Sequence, residues 1–196
     1  TLAYDGLDRL TGRTYSDATP AVTYGYDAAS QRTAMTDATG ATVYGYDEIG
    51  RLTTKAVTYS PLTSAGTRSA RTDTTTVDYD VLSRAYRTTE PSVLNVVTNT
   101  SHQARTTIAF DDNSNPLTVT VSDVVGGDPS RVTSRLFDSA DREYQTTNPE
   151  NGVTSRTFDD NGNIITVTDA AGRVTETTYD ARNLAIKVTA KNFVDD

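Results

Sequence analysis

Apolar and polar side chains alternate along much of this chain. Leu184, Ile186 and Val188 fall on one face of an extended segment, with Ala185, Lys187 and Thr189 on the other. Leu117, Val119 and Val121 alternate in the same way with Thr118, Thr120 and Ser122, and Thr42, Tyr44 and Tyr46 share a face. A period of two is the signature of β-strands. No stretch sustains a helical period, and Ala28-Ala29 lies among turn formers. Turn residues cut the alternating runs at intervals. The pattern therefore predicts antiparallel hairpins with strands about seven residues long, successive hairpins joining into one continuous sheet.

The turns recur with one signature, an aromatic residue followed by aspartate. The pairs are Tyr4-Asp5, Tyr26-Asp27, Tyr46-Asp47, Tyr79-Asp80, Phe110-Asp111, Phe137-Asp138, Phe158-Asp159 and Tyr179-Asp180, separated by 22, 20, 33, 31, 27, 21 and 21 residues. A unit near 21 residues copied in series is a supersecondary element, not a set of unrelated loops. Three positions after each aspartate stand Asp8, Ser30, Gly50, Ser83, Ser114, Asp141, Gly162 and Asn183. Gly and Asn tolerate a left-handed backbone, and Asp and Ser bond nearby backbone groups. One position later come Arg9, Gln31, Arg51, Arg84, Asn115, Arg142 and Asn163, with Leu184 breaking the rule. The aspartate is expected to close an Asx-type turn on the amides that follow it. The arginine can reach back to that aspartate or lie over an aromatic ring.

A second kind of turn falls midway between the first. Its clean copies are Thr36-Asp37-Ala38-Thr39-Gly40 and Thr168-Asp169-Ala170-Ala171-Gly172, and its variants are Ser16-Asp17-Ala18-Thr19-Pro20 and Asn148-Pro149-Glu150-Asn151-Gly152. Residues 1–196 thus form one expected array of about eight hairpin units. Longer inserts stand at Ser60–Thr76, Ser92–Thr107 and Val124–Val132, expected as extended hairpins or loops off the wall.

Composition sharpens this. The chain holds 37 threonines and 11 tyrosines, both suited to an extended, half-buried ribbon. Only 35% of its residues are hydrophobic, below the roughly 45–50% of ordinary globular domains. A two-layer sandwich needs a continuous apolar face on every strand, and several strands here carry Thr, Tyr, Arg or Ser on both faces. The expectation is a single-layer curved wall with ladders of stacked tyrosines, among them Tyr24, Tyr26, Tyr44 and Tyr46. Sixteen strands about 4.8 Å apart would make a ribbon about 75 Å long, which must twist.

The run Tyr46-Asp47-Glu48-Ile49-Gly50-Arg51-Leu52-Thr53 resembles the YD repeat of the RHS (rearrangement hotspot) family. Residues 158–180, from Phe158-Asp159 through Gly162 and the mid-repeat Asp169 turn to Tyr179-Asp180, resemble its full unit. The resemblance covers Tyr4 to about Thr189. It implies a β-ribbon that spirals into a hollow shell, as in bacterial polymorphic toxins, the cocoon of insecticidal toxin complexes, wall-associated proteins and animal teneurins. In the toxin members that shell encloses a polypeptide toxin held unfolded or inactive. The family's core region, which plugs the shell and cuts the toxin free, has no counterpart in these residues, nor does a variable toxin domain follow Asp196. The expected role is a wall segment around a polypeptide cargo, in a secreted or bacterial cell-surface protein.

Every copy of the unit carries the same residues and none adds chemistry, which speaks against an enzyme; no catalytic, cofactor or metal residue is assigned. The lone histidine, His102, stands in a polar insert and is expected as an exposed loop residue. Asp111-Asp112-Asn113 and Asp159-Asp160-Asn161-Gly162-Asn163 superficially resemble calcium loops but lack the distant Glu such loops require, so turn formation is the expectation and a weak surface calcium site the alternative. Asn99-Thr100-Ser101 matches a glycosylation sequon. There is no cysteine, hence no disulfide or thiolate site. A net charge of −8 argues against nucleic acid, and no apolar run is long enough to span a bilayer. The expected partners are further YD repeats of the same or neighbouring chains. The chain opens on Thr1, ends at Asp195-Asp196 and shows no capping unit, so it is expected as a piece of a longer array. The alternative is a fibre or surface adhesin made by end-to-end pairing of the ribbon. A third reading, a carbohydrate-binding module that takes glycans, rests on the tyrosine rows alone.

Overall fold

The computed structural model describes residues 1–17, 19–60 and 69–192, and all regular structure among them is β. The chain forms two compact units, Thr1–Arg105 with Asp123–Gly127, and Thr106–Ser122 with Asp128–Asp196. In the first unit, β1 (Leu2–Tyr4), β2 (Leu10–Arg13), β3 (Val22–Tyr26), β4 (Arg32–Asp37), β5 (Gly40–Tyr46), β6 (Leu52–Tyr59), β7 (Arg71–Tyr79) and β8 (Ala85–Thr89) are antiparallel neighbours in chain order. A separate small hairpin, β9 (Val93–Asn95) and β10 (Thr100–His102), follows. Strand β11 (Ala104–Phe110) begins at the end of this unit and runs into the second. In the second unit, β12 (Pro116–Asp123, its last residue belonging to the first unit), β13 (Arg131–Phe137), β14 (Glu143–Thr147), β15 (Val153–Phe158), β16 (Ile164–Thr168), β17 (Val174–Tyr179) and β18 (Ala185–Lys191) pair in the same sequential way.

The all-β, hairpin-by-hairpin sheet expected from the period-two pattern is found in both units. The strands run from three to nine residues rather than uniformly seven. Leu184 does not share a strand face with Ile186 and Val188. It closes the preceding turn, where the amide of Asp180 donates to its carbonyl, and β18 starts one residue later. The insert at Ser92–Thr107 contains the β9–β10 hairpin and the start of β11. That at Val124–Val132 is a loop until β13 begins at Arg131. Of the insert at Ser60–Thr76, residues 61–68 lie outside the described set, as do Ala18 of the Asp17 turn and the terminal Asp195-Asp196.

No apolar side chain is buried among the described residues, and the one buried residue is polar: Thr42, at 7% exposure. What replaces a core is contact along the sheet surface. Thr58 and Thr72 face each other across β6 and β7 with their hydroxyls 2.8 Å apart, and Thr157 and Thr166 do so across β15 and β16 at 2.6 Å. Such directly opposed pairs contribute roughly 0.2–1 kcal/mol each. Glu143 on β14 takes Arg156 at 2.7 Å and Arg135 at 3.3 Å from the strands on either side. On the first unit, the hydroxyl of Tyr59 donates to Asp73 at 2.7 Å, and the other oxygen of Asp73 holds Arg71 at 2.6 Å.

The two mid-repeat turns that look alike in sequence differ in structure. Asp37 pairs directly with Gly40 across a two-residue turn. Gly40 has φ +151°, and a β-carbon there would lie 1.9 Å from the carbonyl oxygen of Thr58, so only glycine fits. The Asp169 turn is one residue longer, with the amide of Asp169 donating to Arg173 O and that of Gly172, at φ 78°, to Asp169 O. Two positions separate them: Thr39, whose hydroxyl donates to Asp37 at 2.6 Å, is replaced by Ala171, and the residue after the glycine differs. Arg173 reaches back to the Asp169 carboxylate at 2.7 Å, which Ala41 cannot do.

Because so little apolar surface leaves water on folding, the heat-capacity change of unfolding should fall clearly below the usual ~12–15 cal/mol/K per residue. Differential scanning calorimetry measures it directly, and a value in the ordinary range would reveal a filled core.

Candidate functional site

The repeated aromatic–aspartate turn is the one feature present eight times, and its geometry is nearly invariant. The aspartate amide donates to the carbonyl four residues on, and the amide three residues on donates back to the aspartate carbonyl, at 2.9–3.2 Å in all eight copies. The residue at that third position has positive φ every time: Asp8, Ser30, Gly50, Ser83, Ser114, Asp141, Gly162 and Asn183, between 58° and 89°. This is the three-residue hairpin loop with a left-handed closing residue. It explains why that position accepts Gly, Asn, Asp and Ser and no β-branched residue.

The carboxylate completes the turn. In the first copy, Asp5 Oδ1 accepts from the amides of Leu7 at 2.9 Å and Arg9 at 3.0 Å, while Oδ2 accepts from Arg9 Nε at 2.7 Å. Asp47 with Ile49 and Arg51, Asp80 with Leu82 and Arg84, and Asp138 with Ala140 and Arg142 repeat the arrangement. At Asp111 and Asp159 an asparagine amide, from Asn115 or Asn163, replaces the guanidinium. At Asp27 the Gln31 amide donates to the carboxylate. At Asp180, Leu184 supplies only its backbone amide, and Arg182 takes the ion pair at 3.1 Å. The runs at Asp111 and Asp159 therefore use their first carboxylates on their own turns, and a calcium ion there would have to displace those N–H groups.

This bonding holds the carboxyls of Asp5, Asp47, Asp80, Asp138, Asp159 and Asp180 below the ordinary value of 3.8. The Arg9 and Arg51 amides are the largest cause at Asp5 and Asp47, and the Arg142 side chain at Asp138. At Asp80 partial desolvation opposes the shift, and the amide and guanidinium of Arg84 outweigh it.

The same turn reaches its neighbouring repeats through two groups, one forward and one back. The arginine does both things its position allowed. While its Nε stays on its own aspartate, Arg9 Nη1 donates to Asp27 O at 2.8 Å and Ser30 Oγ at 3.1 Å, and its guanidinium lies 4.9 Å from the Tyr26 ring centre. Arg51 bonds Ser83 Oγ at 2.9 Å and covers Tyr79 at 4.6 Å. Arg142 covers Phe158 at 4.4 Å. Gln31 reaches Gly50 O, Asn115 reaches Asp141, and Asn163 reaches Asn183.

The second group is the tyrosine hydroxyl, which sequence reasoning missed. Tyr26 donates to Leu10 O, Tyr46 to Arg32 O, Tyr79 to Leu52 O and Tyr179 to Ile164 O, at 2.9–3.0 Å. Each acceptor lies five residues after the aspartate of the preceding repeat. A β-bulge follows, since Tyr4, Tyr26, Tyr46, Tyr79, Phe137, Phe158 and Tyr179 each sit at a register shift. Phe110, Phe137 and Phe158 keep the ring and lack the hydroxyl. The expected tyrosine-on-tyrosine ladder is corrected: arginine interleaves, with Arg32 5.0 Å from Tyr44 and 5.9 Å from Tyr24. A guanidinium over a ring gains electrostatic attraction that a second phenol does not supply.

His102 also departs from expectation. It lies on β10 with Nδ1 2.7 Å from Asp123 Oδ2, while Asp123 Oδ1 accepts from the amides of Gln103, Val125 and Gly126 at 2.9–3.2 Å. The Gln103 amide, then that of Gly126, holds the Asp123 carboxyl far below the usual range. Asp123 is 21 residues from His102 and belongs to another strand, so no local motif marks the pair.

Tyr79→Phe should cost about 0.5–1.5 kcal/mol, the net worth of one hydrogen bond, and Phe158→Tyr should gain up to a similar amount by donating to Glu143 O. Urea midpoints of the two variants check both signs. The lowered carboxyls stabilise the fold fully above pH 3.8, and that stability should be lost as pH falls below 3.8 through their folded values. Asp47→Asn should keep the turn, as Asn148 does with the amides of Glu150 and Gly152, and make the acid loss shallower. Midpoints measured from pH 2 to 7 test this.

Residues 4–42, 26–60 and 158–192 match the RHS Repeat family. No curated protein matches the chain. Among solved structures, the crystal structure of TcdB2-TccC3-Cdc42 matches 97% of this chain and 10% of its own length, at 12% identity and TM-score 0.67. That of TcdB2-TccC3-TEV matches 92% and 12%, at 10% identity and TM-score 0.51. The chain spans about a tenth of the length of those chains, with which it shares the fold. Residues 4–60 and 158–192 carry repeats that match that RHS Repeat family.

Proposed function

We propose that this chain is a wall segment of an RHS-type shell enclosing a polypeptide cargo, with a steric and non-enzymatic role. The observation that carries the reading is the absence of any buried apolar side chain among the described residues. Such a sheet is suited to separating two spaces and poorly suited to standing as a packed globule. The shared fold with the TcdB2-TccC3 chains supports it. We read residues 1–196 as one array of about eight hairpins, with the aromatic–aspartate pairs, Gly50, Arg51 and Gly162 as its defining residues and further YD repeats as its neighbours. A secreted or cell-surface location follows from that reading. A sugar-binding platform is less favoured, because arginines cover the rings of Tyr26, Tyr44 and Tyr79 that it would need.

Electron cryomicroscopy of the full natural protein containing this chain tests the proposal. The expected result is a closed wall around additional density, with the enclosed polypeptide resisting protease until the wall is unfolded. Open filaments built by edge-to-edge contact, with nothing inside, would replace the shell with a fibre.

A further inference from the structure

The β9–β10 hairpin is unlike the rest of the surface. From Pro91 to Ser101 there is no charged residue, in a chain of which 22% of residues are charged. Four of its apolar side chains face solvent: Val93 at 59%, Leu94 at 46%, Val96 at 84% and Val97 at 90% exposure. Among the exposed apolar residues of the aromatic–aspartate turns, Leu7, Ile49 and Val81 sit directly beside Asp8, Glu48 and Asp80.

The apex is also built to lose water cheaply. Asn95 Oδ1 accepts from the amides of Val97 at 3.0 Å and Thr98 at 3.3 Å, and Asn99 takes the left-handed conformation that closes the turn. Backbone amides satisfied within the turn remove much of the cost of taking it into an apolar phase. The root is anchored. Arg71 Nη2 donates to Ser92 O at 2.7 Å on one side, and Gln103 is held by Asp123 Oδ1 and Glu90 O on the other. A fixed root with a bare apolar tip presents the valines without an ordering cost at the moment of contact.

We propose that this hairpin is an insertion tip for the interface of a neutral lipid bilayer. A convex apex with two adjacent valines and no charge fits the acyl boundary. Asn95, Thr98, Asn99 and Thr100 around it supply uncharged hydrogen-bonding groups at headgroup depth. The net charge of −8 opposes approach to anionic surfaces, which selects zwitterionic lipid. The tip lies in the interface and does not cross it, being far shorter than a spanning element.

The chain has no tryptophan, so Val97→Trp gives a single reporter. With phosphatidylcholine vesicles, its emission should shift to the blue, independently of salt. Trp placed at Ile49, in an aromatic–aspartate turn, should not shift. Adding Val96→Asp to the Val97→Trp chain should lower the bound fraction about tenfold or more, since one buried valine and one desolvated carboxylate are both worth over a tenfold factor. The unsubstituted chain should float with the same vesicles at high lipid, and Val96→Asp should not, with circular dichroism unchanged. No shift and no flotation overturns the proposal. So does binding to phosphatidylserine vesicles alone, or an equal shift at position 49. A blue shift produced by a protein partner and never by vesicles would likewise overturn it, in favour of an apolar protein pocket.

Discussion

Everything in this structure depends on one carboxylate being held in two places at once. In six of the eight turns, those of Asp5, Asp47, Asp80, Asp111, Asp138 and Asp159, the aspartate accepts two amides of its own loop with one oxygen and fixes the side chain four residues on with the other. That second bond turns a local motif into a connector. An arginine on a flexible stem would lose much side-chain entropy in reaching a neighbouring repeat. Tethered at Nε by its own aspartate, as Arg9 and Arg51 are, it has already lost most of that freedom. Its remaining N–H groups and its flat face then meet the next turn and the next ring. Repeat closure and repeat-to-repeat adhesion are therefore the same interaction seen from two sides.

This accounts for how a sheet with no buried apolar side chains among its described residues holds together. In an ordinary domain, hydrophobic burial offsets the entropy of ordering the chain. Here every hairpin contributes ladder bonds, and individual hairpins add cross-strand threonine contacts, a ring covered by arginine or, where the turn aromatic is Tyr26, Tyr46, Tyr79 or Tyr179, a hydroxyl donated to the previous repeat's carbonyl. All of these are nearest-neighbour terms, so stability in each unit accumulates along the array rather than concentrating at one centre. Thr42, the single buried residue among those described, lies on β5 between β4 and β6.

Much of this was legible because the information is local. The third position after each aspartate must take a positive φ, and Asp8, Ser30, Gly50, Ser83, Ser114, Asp141, Gly162 and Asn183 announce that by residue type alone. The reach of Arg9 to Asp5 was equally open, being four residues away. What could not be read needed the stacking of one hairpin on the next. The hydroxyl of Tyr79 finds a carbonyl 27 residues back, and no property of tyrosine in isolation names Leu52 as its acceptor. The same holds for the arginine between Tyr24 and Tyr44, and for His102 on Asp123. The two mid-repeat turns misled for a different reason: four of the five residues matched, while Thr39 against Ala171 and, after the glycine, Ala41 against Arg173 set the loops apart.

The distribution of loop lengths follows from the same constraint. All eight aromatic–aspartate loops have the same length, whereas all three inserts fall at the connections between one repeat's hairpin and the next. An extra residue in an aromatic–aspartate loop would move the left-handed residue out of reach of the preceding arginine and shift the tyrosine off its carbonyl, breaking two repeats together. An extra residue in the other connections breaks neither. The cost of lengthening a surface loop in itself grows only slowly, by about 0.6 kcal/mol per doubling. Those connections are thus where the chain can add structure without disturbing the repeated turns, and the β9–β10 hairpin, rooted on Arg71 and Gln103, is such an addition.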